Sequence, residues 1–169
     1  GDGKCAYIPA HPDMTPPDDF CVPSSPAAEA TGLIWTSIGT PDGPPPDLSE
    51  FDALTFCRSV AINCPSSEVE AAAAQAQFVP FTAGNTGNAI SSRHPAPGVT
   101  IVEADGGEAL VLAIQPASAT KTHVHILSAA SVADTDIPAL RRHFSAWGRQ
   151  FRWKTENGAR TSRAESETA

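Results

Sequence analysis

Apolar residues recur along this chain in runs whose spacing separates helical from extended segments. The first run opens at Asp47-Leu48-Ser49-Glu50, an acidic N-cap with Glu three residues on. Phe51, Leu54, Cys57 and Ala61 follow at helical spacing, which predicts a helix. Ser67-Glu68-Val69-Glu70 repeats the capping pattern and predicts a second, Ala-rich helix to about Gln77. Gly84, Gly87, Pro95, Pro97 and Gly98 mark residues 83–98 as a loop.

Extended patterns come next. Val99–Ala104 turns through Asp105-Gly106-Gly107 into Glu108–Ile114, a hairpin signal. Lys121–Leu127 alternates polar and apolar residues and reads as a third strand. Asp134 or Asp136 caps the last element, and Pro138 fits its first turn. Ile137, Leu140, Phe144, Trp147 and Phe151 then trace one face of an amphipathic helix to about Arg152.

These elements predict a two-layer α+β domain: an antiparallel meander of three or four strands with helices packed on one face. The organisation expected is a Pro-rich acidic arm over 1–47, the α+β domain over 48–155, and a polar, flexible tail over 156–169. Ten of the sixteen prolines fall in the arm, so it should be extended. Its apolar island, Leu33-Ile34-Trp35 with Ile38, is expected to dock as a short strand. Over residues 48–150 this order of elements resembles small uncharacterised secreted bacterial proteins, a resemblance that implies no activity.

Charge narrows the partners. Residues 1–140 hold 16 acids and 4 bases, whereas 141–169 hold 3 acids and 7 bases. So acidic a body repels nucleic acid and anionic membranes. No apolar run approaches the roughly 18 residues of a spanning helix. Arg141, Arg142, Arg149 and Arg152 interleave with Trp147 and Trp153, and arginine and tryptophan are enriched at binding hot spots. With Trp35 of the arm they form the expected partner-binding set. The partner would be a protein or a larger assembly.

Cys5, Cys21, Cys57 and Cys64 lack the paired spacing of zinc or redox sites. Seven residues of helix would put Cys57 and Cys64 about 10.5 Å apart, beyond the reach of a disulfide. They can pair only if the helix stops near Asn63, and Cys64-Pro65 is a plausible stop. Cys5–Cys21 with Cys57–Cys64 is therefore favoured, with Cys21–Cys57 as the rival. Disulfides would place the chain outside the cytoplasm, in the periplasm or secreted.

The sharpest local motif is Thr122-His123-Val124-His125-Ile126-Leu127. Strand alternation puts His123 and His125 on one face, where two imidazoles suit a metal. The motif superficially resembles the histidine-triad nucleotide hydrolases over about seven residues. The third histidine of that pattern is missing, with Lys121 or Leu127 in its place. The simpler reading puts Thr122, Val124 and Ile126 in the core and both histidines on the outer polar face. The function expected is thus a non-enzymatic accessory or structural subunit with no cofactor, binding through its arm and basic helix. The alternative is a small metal-dependent or histidine-based hydrolase on the His123/His125 strand.

Overall fold

The computed structural model describes residues 3–37, 39–82, 89–105 and 107–167, without the side chains of 89, 90 and 162–167. Ile38, Gly84, Gly87 and Gly106, each used in the sequence reading, lie outside the described residues. The chain divides into two compact units, 1–45 and 46–169.

In the first unit, β1 (Ala27–Ala30) and β2 (Leu33–Thr36) form an antiparallel hairpin. Its turn holds Thr31 at φ 56° and Gly32 at φ 74°, the left-handed pair that matches strand twist. The apolar island therefore pairs locally as β2. Among its described residues none is buried, and Val22 and Ile34 are 70% and 78% exposed.

The second unit is a five-stranded antiparallel sheet ordered β3-β7-β6-β5-β4. Its strands are β3 (Thr55–Ile62), β4 (Ala89–Ala96), β5 (Val99–Ala104), β6 (Ala109–Ser118) and β7 (Lys121–Ser128). The helices are α1 (Ser66–Ala74) and α2 (Ile137–Glu167). Among the described residues, seven strands in two sheets replace the expected meander of three or four, and two misread segments account for the difference.

Thr55–Ile62 is a strand and no helix. Thr55, Phe56, Val60 and Ile62 favour a pleated surface, and Val60 and Ile62 alternate into the core. A bulge between Phe56 and Arg58 also turns Cys57 inward, three residues before Val60, which breaks the strict alternation that would mark a strand. Residues 89–96, expected as loop, form edge strand β4. Its proline, Pro95, falls where the register with β5 slips, a place that needs no ladder hydrogen bond.

The cysteine expectation fails for the same reason. In a strand, seven residues span about 23 Å, so Cys57 and Cys64 cannot meet. Lys4 pairs with Cys21, flanked by Cys5 N–H to Phe20 O and Val22 N–H to Gly3 O. That register sends the Cys5 and Cys21 side chains to opposite sides of the ribbon. No disulfide joins any of the four: Cys5 and Cys21 are exposed, and Cys57 and Cys64 are buried. The inference of an oxidising compartment thus loses the disulfides on which it rested.

The core lies between the sheet and its helices. Val60, Ile62, Leu110, Leu112, Ile114, Val124 and Ile126 meet Val69 and Ala73 of α1 and Leu140, Phe144 and Phe151 of α2. A Cβ at Gly148 would stand 2.7 Å from Ile126 Cδ1, so this glycine lets α2 sit close to the sheet. The helix was expected to end near Arg152 but continues to Glu167. Ala109–Ile114 is buried throughout, as a central strand covered on both faces must be.

Pro97-Gly98 makes the two-residue turn between β4 and β5, with Gly98 at φ +71°. A Cβ there would lie 2.8 Å from the Ile114 carbonyl oxygen, a backbone atom that cannot yield. Gly98→Ala is expected to cost about 2 kcal/mol or more, read as a lower denaturant midpoint.

Candidate functional site

The side chains of richest chemistry collect on the sheet face away from the helices. Ser59 and Ala113 flank His125 in register, and Ala61 and Gln115 flank His123. Ser59 Oγ lies 2.7 Å from His125 Nδ1, and Gln115 Oε1 lies 3.1 Å from Nε2. An amide oxygen only accepts, so Nε2 carries the proton and Nδ1 accepts from the Ser59 hydroxyl. Burial, and secondarily the charge of His123, hold the His125 pKa below the ordinary histidine value. The ring is therefore neutral, with both nitrogens engaged.

That shift has a signed consequence. The unfolded chain binds a proton at His125 more readily than the folded one, so stability falls as pH drops below about 6.5. The contribution is complete above that value and is lost on the acid side. His125→Gln is expected to flatten the acid limb, measured as a smaller fall in unfolding midpoint between about pH 7.5 and about pH 5.5.

The remaining donors are dispersed and mostly committed. His94 Nδ1 lies 3.0 Å from Thr100 Oγ1, beside an open hollow of about 310 Å³ shared with Glu70. His143 Nε2 donates to the Val79 carbonyl at 2.7 Å, and its ring packs edge-on against Phe81 and Phe144. Burial pushes the Cys57 thiol up to about 11, which keeps it protonated and unreactive. The Glu108 carboxylate is buried and accepts from Phe81 N–H, Thr82 N–H and the Thr82 hydroxyl. Arg93 holds Glu50 and Glu103. Burial raises the Glu156 carboxyl, but the Asn63 amide and Arg152 outweigh it and leave the pKa lowered. Among the described residues no three His, Cys, Asp or Glu side chains come together as a metal site.

The structure divides the expected partner-binding set. Trp35 donates to the Ala30 carbonyl of its own hairpin. Arg141 donates to the Phe56 carbonyl, and Arg152 pairs with Glu156. Trp147 stacks on Phe151 and donates to the Gln77 carbonyl at 2.7 Å. Those four serve the fold itself. Arg142 and Arg149 are exposed, and Trp153 is 67% exposed. Arg149 and Trp153 line a shallow, open depression of about 450 Å³ with Ala146, Gln150 and Lys154. Ser59, Gln115 and Glu108 were missed from sequence, because only strand register and loop packing make them partners.

The fold is similar to that of solved oxygenases. A crystal structure of dicamba monooxygenase matches 99% of this chain and 67% of its own, at a TM-score of 0.68 and 16% identity. Its apo form gives a TM-score of 0.65. A mutant of NdmA from Pseudomonas putida CBB5, solved with theobromine, matches 84% of this chain and 57% of its own at 0.50 and 14% identity. At such identities the likeness is one of fold. In sequence, 71 residues are 37% identical to the oxidoreductase NdmD of Pseudomonas putida. That stretch is 42% of this chain, and the chain spans only 12% of NdmD. No protein-family profile matches. These likenesses overturn the expected non-enzymatic accessory or structural subunit and its hydrolase alternative, since the similar proteins are an oxidoreductase and oxygenases.

Proposed function

We propose that this chain is part of an oxidoreductase in an oxygenase system, with a role in electron transfer or in the oxygenase component itself. The observation that carries the reading is a single architecture shared along 99% of the chain with dicamba monooxygenase. The local identity to NdmD supports the same class from sequence. The chain's own residues contribute a rigid sheet, seated on α2 through Phe144 and Gly148, and a basic aromatic surface on that helix.

The test is a reductive titration of the full natural polypeptide, purified without oxygen and followed by absorption and EPR. NADH and a reductase are then supplied. Reversible electron uptake approaching one redox group per chain is expected. A protein that takes up no electrons and leaves electron flow from NADH unchanged would overturn the reading.

No helix among the described residues is long and apolar enough to cross a membrane. A protein component of the same redox system is the partner this reading implies. Arg149, Trp153 and Lys154 form the surface best suited to it, because they are presented outward on a helix that is basic against an acidic chain. Trp153→Ala with Arg149→Glu is expected to leave the unfolding midpoint unchanged. The same variant should slow electron exchange with the partner several-fold at low salt, with the difference shrinking as salt rises. Equal rates at every salt concentration would remove this surface from the reading.

A further inference from the structure

The architecture is that of an oxygenase, so its interior is the natural place to look for an oxygen-activating centre. A mononuclear iron of the non-haem oxygenases is held by two histidines and one carboxylate on one side of the metal, with open positions for the reactants. Residues that hold such an ion need free lone pairs that converge. All five histidines and all four cysteines of the chain lie among the described residues.

None of the histidines meets them. His125 has a proton on Nε2 that faces Gln115, and its Nδ1 accepts from Ser59. His123 stands beside it on a strand, yet no carboxylate joins the two among the described residues. His94 is on edge strand β4, tied to Thr100, and the Glu70 that shares its hollow adds only a second donor. His143 spends Nε2 on the Val79 carbonyl and its faces on two phenylalanines. His11 belongs to the other unit, where it is exposed. Glu108 and Glu156 are spent in the same way, Glu108 on the loop at Phe81-Thr82 and Glu156 on Asn63 and Arg152.

The interior is also occupied. Between the helices and the sheet lie Val69, Ala73, Phe78, Leu140, Phe144 and Phe151, all buried and apolar. Phe78 and Phe144 meet edge-on with ring centroids 5.9 Å apart within this apolar layer. A substrate chamber would need this volume open, with polar groups aimed into it.

We infer that the sheet-and-helix unit keeps the oxygenase architecture without a mononuclear oxygen-activating centre, and that its helix-covered interior is a structural core. In such a protein oxygen activation belongs to another domain or another component, and this unit serves as the scaffold beside it. The inference shares with the oxidoreductase reading its premise, the likeness of fold to solved oxygenases, and rests for its content on the donor set.

The test uses the full natural polypeptide. It is incubated with ferrous iron without oxygen, desalted, exposed to nitric oxide and examined by EPR for the high-spin ferrous–nitrosyl signal. Total iron is measured alongside, and the same is done with His94→Gln, His123→Gln and His125→Gln. No stoichiometric signal is expected, or one that all three variants leave unchanged because it arises outside this unit. A signal approaching one iron per chain that any of the three variants abolishes would overturn the inference. Reductive titration of the same samples reports separately on electron uptake, so the two readings fail independently.

Discussion

Replacing Phe144 with alanine is expected to lower the stability of the chain by about 3–5 kcal/mol. The ring is fully buried at the centre of α2's inner face. It meets Phe78 and His143 edge-on, with ring centroids 5.9 Å and 4.8 Å away. Truncation removes the transfer energy of the ring and leaves a void between a helix and a sheet, neither of which can collapse into it. Against the roughly 5–15 kcal/mol that holds a domain folded, that is a large fraction. Urea unfolding would show a lower midpoint at unchanged slope, since the surface exposed on unfolding stays the same. Phe144→Leu, which keeps most of the volume, should lose much less. A loss below about 1 kcal/mol for the alanine variant would mean that α2 is not seated on the sheet through this residue.

Phe144 also shows what the sequence could and could not reveal. Its place at 3-4 spacing with Leu140 and Phe151 identifies the inner face of a helix, and all three are buried. The alternation of Thr122, Val124 and Ile126 likewise places His123 and His125 on the opposite face of β7. Both are local signals with one dominant period. Thr55–Ile62 carried two periods at once, because a bulge brings Cys57 inward where strict alternation would send it out. Cys57 thereby falls in line with Phe51, Leu54 and Ala61, a helical stripe that runs across the start of the strand, and the disulfide expectation inherited that error. Edge strand β4 was hidden by Pro95 and by its glycine-bounded neighbourhood, both of which mark loops more often than strands. The chemistry of the histidine face was hidden more deeply. That His125 is neutral and doubly hydrogen-bonded depends on Ser59, 66 residues away, and on Gln115. Pairing register alone decides such contacts, and no periodicity within one strand encodes it.

The same dependence on distant partners gives the second large effect. Glu108 follows the turn after β5 and reads in sequence as the polar first residue of the next strand. In the fold it is only 5% exposed. Its Oε1 accepts from Phe81 N–H at 2.9 Å, and its Oε2 accepts from Thr82 N–H at 3.0 Å and the Thr82 hydroxyl at 2.8 Å. One carboxylate therefore satisfies two backbone donors of the segment that follows Phe78. Without it those donors lose their acceptor in a partly buried setting, and an unpaired buried amide costs about 1–3 kcal/mol. Glu108→Ala is expected to destabilise the chain by about 3 kcal/mol, less than the sum of three separate bonds because the donors share one acceptor group. Glu108→Gln keeps shape and one acceptor but turns an NH2 group toward a donor, so it should fall between. Hydrogen exchange supplies the diagnostic readout. In Glu108→Ala the amides of Phe81 and Thr82 should lose protection by at least tenfold, while those of β6 and β7 change only with global stability. If those two amides exchange at unchanged rates, the segment is held by something other than Glu108. If they alone are released, this carboxylate is what pins the segment leaving α1 to the start of β6, and with it Phe78 against Phe144.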